Sequence, residues 1–156
     1  VVGKNQLERN FELLLAVRRV MHAFDIHSRR LASSSEHITL PQLLCLMAVV
    51  GDEGLTSRQI AERIHASTST LVGVLDRLEA KNLIARVRDP RDRRQIHITP
   101  TTAGRKLVAQ GPSPFGDPFD QAFAALSTAR KARLAEDLSL MAEMMSAGHS
   151  SPGRQR

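Results

Sequence analysis

Arg86 to Thr99 reads R-V-R-D-P-R-D-R-R-Q-I-H-I-T. Going into this stretch, Leu83, Ala85 and Val87 alternate with Ile84, Arg86 and Arg88, and Ile96 and Ile98 repeat the alternation on the way out. A period of two on both sides of a loop containing Asp and Pro predicts two antiparallel strands joined by Asp89–Gln95. Arg91, Arg93 and Arg94 crowd the tip of that hairpin. From Arg77 to Lys106, nine Lys/Arg face three Asp/Glu, a net of +6 equal to the formal charge of the whole 156-residue chain. The excess is therefore confined to one helix and the hairpin after it, a charge footprint suited to a polyanion, because neutralised phosphates release counterions.

Working outward, the preceding segments read as short, well-capped helices. Thr39-Leu40-Pro41-Gln42 and Thr56-Ser57-Arg58-Gln59 are both capping boxes, in which a hydroxyl and a Gln side chain satisfy the first amides reciprocally. The first opens a helix with Leu43, Leu46, Met47 and Val50 inward. Gly51–Gly54 is a turn, and the second box opens a helix anchored by Ile60, Ala61 and Ile64. His65 and Ala66 turn the chain into Ser67, the cap of a helix reaching about Lys81, with Leu71, Val74, Leu75 and Leu78 inside. Asn82 is expected in the left-handed conformation that ends it. Beyond the hairpin, Thr99-Pro100 is read as the start of a helix through Gln110, and three Pro and two Gly in Gly111–Pro118 interrupt the path. Ser127 caps a last helix bearing Leu134, Leu138, Met141 and Met145, with Gly148 at its end and a polar, unstructured tail at 149–156.

At the other end, Leu7, Phe11, Leu14, Val17, Met21, Phe24 and Leu31 recur at helical spacing across roughly 5–33, until Ser33–Ser35 stop the helix. Its stripe exceeds what one small lobe covers, so a second chain is expected against it. The fold class is mainly α with a small two- to three-stranded antiparallel wing, and the expected divisions are 1–36, 37–100, 101–148 and 149–156.

Composition excludes several classes. With no Trp or Tyr and five Phe, stacking of unpaired bases on aromatic rings is not the binding mode. One cysteine forms no internal disulfide, no apolar run approaches the roughly 20 residues of a membrane span, and V-V-G-K-N-Q-L-E-R-N lacks a signal sequence's apolar centre. A cytoplasmic, non-membrane protein is expected. There is no G-x-S-x-G, phosphate loop, H-E-x-x-H or close Cys/His pair, so neither an enzyme nor a cofactor is expected.

Three helices followed by a hairpin make a winged helix-turn-helix. The runs L-T-S-R-Q-I-A-E-R-I, S-T-L-V-G-V-L-D-R-L-E-A-K-N-L-I and R-D-P-R-D-R-R-Q-I-H-I-T-P-T-T-A-G-R, spanning residues 55–105 in unbroken order, resemble the multiple-antibiotic-resistance regulator (MarR) family. The resemblance implies a homodimeric DNA-binding transcription regulator, commonly a repressor, whose two chain ends form dimerisation helices. It also implies two winged lobes gripping a pseudo-palindromic double-stranded operator, and a small aromatic or phenolic ligand that releases it. The chain departs from the family at Gly73, where a polar base-reading residue is common, and in the Pro-rich segment, where the family's fifth helix usually runs on.

Ser67, Thr68, Ser69 and Thr70 place hydroxyls at the start of the helix that would enter the major groove, and Arg77 lies one turn past Gly73, placed either for a phosphate or to pair with Asp76 or Glu79. On the wing, the resemblance assigns minor-groove insertion to Arg93 and Arg94 beside Arg91, with Asp89 and Asp92 expected to hold the guanidinium groups. Arg18, His22 and Asp25 on the first helix, with Leu43 and Met47 on the second, outline a possible effector pocket. His22 and Asp25 are one turn apart, but a metal needs a converging set, and none is assigned. Cys45, between leucines and away from cations, is expected to be buried and inert. The alternatives are a winged-helix module that docks an acidic protein, and a repressor that senses oxidation through Cys45.

Overall fold

A computed structural model describes residues 4–34, 37–92 and 94–147. The order is α1 (Lys4–Ser33), α2 (Leu40–Gly51), β1 (Leu55–Thr56), α3 (Ser57–Arg63), α4 (Thr68–Ala80), β2 (Ile84–Arg88), β3 (Ile96–Pro100), α5 (Thr102–Gln110), α6 (Asp117–Ala124) and α7 (Thr128–Ala147). Contacts divide the chain into two units, one ending at Phe115 and the other beginning at Gly116.

Within the first unit, α2, α3 and α4 pack around Leu46, Val49, Ile60, Leu71, Leu75 and Leu78, all essentially inaccessible to solvent. Ile84 and Ile98 close this core from the sheet, Leu107 from α5 and Leu31 from the end of α1. Both expected capping boxes supply the reach-back arm, Gln42 Oε1 accepting from the Thr39 N–H at 3.1 Å and Gln59 Oε1 from the Thr56 N–H at 2.8 Å. Gln42 is itself 4% exposed, and this bond satisfies its carbonyl inside the core. Asn82 sits at φ 55°, as expected of the residue that turns α4 into β2.

The sheet has three strands in the order β1-β3-β2, all antiparallel, within the two- to three-stranded wing expected, because Leu55 and Thr56 pair with Ile98 and His97. Two local expectations change. The fifth helix is capped by Thr101, not by Thr99-Pro100, which finish β3. The Thr101 hydroxyl accepts from Gly104 N–H at 3.0 Å and donates to Asn82 O at 2.7 Å, pinning the helix start to the α4–β2 turn. The Pro/Gly segment does interrupt the path after Gln110, but an additional helix, α6, follows at once, with Pro118 in its first turn, where its missing amide costs nothing, after Gly116 at φ 82°. Val87 is 48% exposed, since β2 leaves the core after Ile84 and carries the wing outward.

Candidate nucleic-acid interface

The start of α4 is a knot of hydroxyls. Ser67 Oγ accepts from the Thr70 amide at 3.2 Å and lies 3.1 Å from Ser69 Oγ and 2.8 Å from Thr70 Oγ1. These bonds hold the first turn while all four residues, Ser67 to Thr70, stay exposed at the positive end of the helix. Further along, the outward face is Ser69, Val72, Gly73, Asp76 and Arg77, opposite buried Leu71, Val74, Leu75 and Leu78.

Asp76 and Glu79 were candidate partners for Arg77, but the structure gives them to Arg86. Its guanidinium reaches from β2 to Asp76 Oδ1 at 2.6 Å and Glu79 Oε2 at 2.5 Å. Hydrogen bonding to Asp76, with the two carboxylates' charge, raises the Arg86 pKa above its already high ordinary value. A fork on two carboxylates fixes the angle between α4 and the wing's first strand. It also neutralises acidic groups that would repel a phosphate backbone. Arg77 has no carboxylate partner among the described residues and stays exposed. Alternation marks Arg86 as outward-facing, but its partners come from the helix before it, which the strand pattern does not show.

At the wing tip the aspartates fold the loop rather than hold guanidinium groups. Asp89 Oδ1 accepts from the amides of Arg91 (2.6 Å) and Asp92 (3.0 Å), and Asp92 Oδ1 accepts from the amide of Arg94 (3.0 Å). Side chains that bond the backbone two residues on make tight turns. These amides, ahead of a bond to His97, hold the Asp89 carboxyl below the usual range. Arg91 and Arg94 remain exposed with no ion pair among the described residues; Arg93 lies outside them.

The five residues of the expected effector pocket are not gathered. Arg18, His22 and Asp25, with Leu14, Val17 and Met21, line an open depression on α1 alone, and Asp25 pairs with Arg29. Leu43 is instead a core residue at 5% exposure, and Met47 is exposed on α2. Leu43 lies just inside the buried arc of α2 and joins the core cluster, whereas Met47, one turn on, lies just outside it. Cys45 is wholly buried, and desolvation pushes its thiol up to about 11. No group of three potential metal ligands occurs among the described residues, and no described helix is long and apolar enough to cross a membrane.

Residues 38–96, from the start of the core to the return strand of the wing, match the sequence profile of the MarR family. The winged lobe belongs to the MarR family. Its relatives are transcriptional regulators. The HTH-type transcriptional regulator TtmR of Methylorubrum extorquens is 38% identical over 96 residues, 62% of this chain, which thus spans about half (49%) of that relative. The PcaV transcriptional regulator of Streptomyces coelicolor, solved with its natural ligand, is 28% identical at TM-score 0.65, covering 82% of this chain and 89% of that one. Staphylococcus aureus MepR, solved in complex with DNA, is also 28% identical at TM-score 0.65, covering 83% and 96%.

Proposed function

We propose that this protein is a homodimeric MarR-family repressor that binds a pseudo-palindromic DNA duplex, each lobe placing α4 in the major groove and the β2–β3 loop in the minor groove. The observation that carries it is the combined geometry of the hairpin and its charge. The aspartates are consumed in folding the loop, so Arg91 and Arg94 extend from a fixed turn with no described carboxylate to satisfy them. Arg93 stands between the aspartate-bound backbone positions in sequence and is assigned to the same role. A protein-docking module would not require the hydroxyl-rich start of α4 on the same side of the Arg86 fork. The existence of a DNA complex of MepR supports the same reading.

Dimerisation is assigned to α1 and the C-terminal helices. Leu7 (64% exposed), Phe11 (61%), Leu14 (66%) and Met21 (66%) leave a long apolar stripe uncovered on α1, and Leu134 and Leu138 are open on α7. Two lobes related by a two-fold axis then address half-sites about 34 Å apart. Release by a small aromatic or amphipathic acid is assigned to the α1 face of Arg18 and His22, where cations adjoin apolar Leu14, Val17 and Met21; the PcaV complex with its natural ligand supports a ligand-responsive reading. Burial of Cys45 disfavours the oxidation-sensing alternative.

The test is the salt dependence of duplex binding. Arg91→Ala and Arg94→Ala should each lower the slope of log affinity against log salt by about one for each phosphate no longer neutralised, whereas Arg133→Ala on α7 should not. Unchanged affinity and slope in both wing variants would overturn the assignment.

A further inference from the structure

Three separate pieces of chain meet at His97, in the middle of β3. Its Nδ1 lies 2.5 Å from Gly54 O in the turn before β1, and its Nε2 lies 3.0 Å from Asp89 Oδ2 at the first residue of the wing loop. A carbonyl and an ionised carboxylate only accept, so meeting both requires a proton on each ring nitrogen, which only the imidazolium has. Either neutral tautomer turns one lone pair toward an oxygen. The Asp89 that His97 grips is the residue whose other oxygen orders the amides of Arg91 and Asp92, and whose own N–H donates to Gln95 O at 3.0 Å. What holds this carboxylate holds the loop.

We propose that His97 is the positioning residue of the wing: as an imidazolium it ties Asp89 to the β1 turn and presents Arg91 and Arg94 to the duplex, and on losing its proton it loosens that hold. This rests on the DNA-binding reading of the wing. It makes DNA affinity fall as pH rises, through a group that touches no DNA itself.

The surrounding charges leave the pair isolated. Of the elements packed on β3, α2 and β1 carry no charged residue. On β2, Arg86 is taken by Asp76 and Glu79, and Arg88 lies in register with Ile96, one residue from His97. From α3, Arg58 pairs with Glu62, and Arg63 with Asp52 of the turn. From α5, Arg105 pairs with Glu53 of the turn, while Lys106 faces the groove by Leu83 and Leu107. Asp89 is the carboxylate at bonding distance from the ring. The bond to Asp89, and after it the bond to Gly54, raises the His97 pKa above the ordinary histidine value. The sign follows. With a raised folded-state pKa the clamp is complete below the ordinary value of about 6.5 and is lost as pH rises through the raised one.

The experiment follows the wild-type protein by NMR from about pH 6 to about pH 9, and measures affinity over the same range for a duplex selected from a random-sequence pool. The expected result is that the amides of Arg91, Asp92 and Gln95 move with the titration of the His97 ring, and that affinity weakens about two- to fivefold per wing as a half-buried charge-assisted bond breaks. His97→Gln and Asp89→Asn, each checked for a cooperative thermal transition, should lose this component. Equal pH profiles in wild type and His97→Gln, or loop amides indifferent to the ring, would overturn the proposal. Amides that track the ring in a protein that binds no duplex at any pH would support the clamp and overturn the DNA reading instead.

Discussion

Adding one methyl group at Gly104 should unsettle the joint between α5 and the wing. A Cβ built there would lie 2.1 Å from Leu83 O and 3.1 Å from Leu46 Cδ1. Ordinary van der Waals separation is more than an ångström longer, and the first obstacle is backbone, already fixed by accepting the Thr101 N–H at 3.1 Å. A side chain could rotate aside, but this carbonyl sits at the end of the α4–β2 turn. Overpacking a filled core costs about 1–3 kcal/mol, and a rigid obstacle places Gly104→Ala at roughly the upper end. The better helix propensity of Ala returns about 1 kcal/mol, so the net loss is roughly 2 kcal/mol, or about 5–10 °C in Tm. Gly73→Ala is the matched control. Its Cβ would meet nothing within 4 Å, so propensity alone acts and the variant should gain about 0.5–1 kcal/mol. Urea denaturation followed by circular dichroism measures both. A Gly104→Ala protein as stable as the wild type would refute the close-approach argument.

Other perturbations separate the parts of the account. Arg86→Ala should weaken duplex binding and lower stability by about 1 kcal/mol, and Arg86→Lys should restore little because an ammonium does not fork between Asp76 and Glu79; full recovery in the Lys variant would contradict the bidentate role. Native protein should resist a chromogenic disulfide reagent from pH 7 to 9, since the Cys45 thiol, pushed to about 11, stays protonated and enclosed, and should react once unfolded; rapid labelling of the native state would reopen thiol sensing. Deleting residues 1–16 should give a monomer in sedimentation with weak DNA binding, because two half-sites can no longer be engaged together; a truncated dimer would place the interface elsewhere.

The helical lobe was legible because its signals are local. Capping boxes at Thr39 and Thr56, the cap at Ser67 and the apolar spacing of α4 each lie within a few residues. The missed features depend on distant chain. Leu55-Thr56 is too short to show a strand period, and becomes β1 only because Ile98 and His97 lie beside it. Thr101 rather than Thr99 caps α5 because Asn82 O, nineteen residues earlier, takes its hydroxyl proton. Alternation located the wing, but the jobs of Asp89 and Asp92 depend on loop backbone geometry, and composition alone suggested guanidinium partners. His97 sits between two isoleucines and reads as an ordinary strand residue until the Gly54 turn is folded against it. The effector pocket failed because, although Leu43 and Met47 share one side of α2 at i, i+4 spacing, the edge of the buried arc runs between them, so Leu43 is taken into the core while Met47 stays open.

Whether the α4 face and the wing read duplex DNA as a two-fold pair is tested by selecting bound duplexes from a random-sequence pool with the full chain at physiological salt. The expected outcome is enrichment of a pseudo-palindrome with half-sites about one helical turn apart and A·T-rich sequence where the arginine loop enters the minor groove, an enrichment that disappears when Arg91 and Arg94 are both replaced by Ala. A pool with no enriched sequence, or an enriched sequence bound equally by the doubly substituted wing, would contradict it.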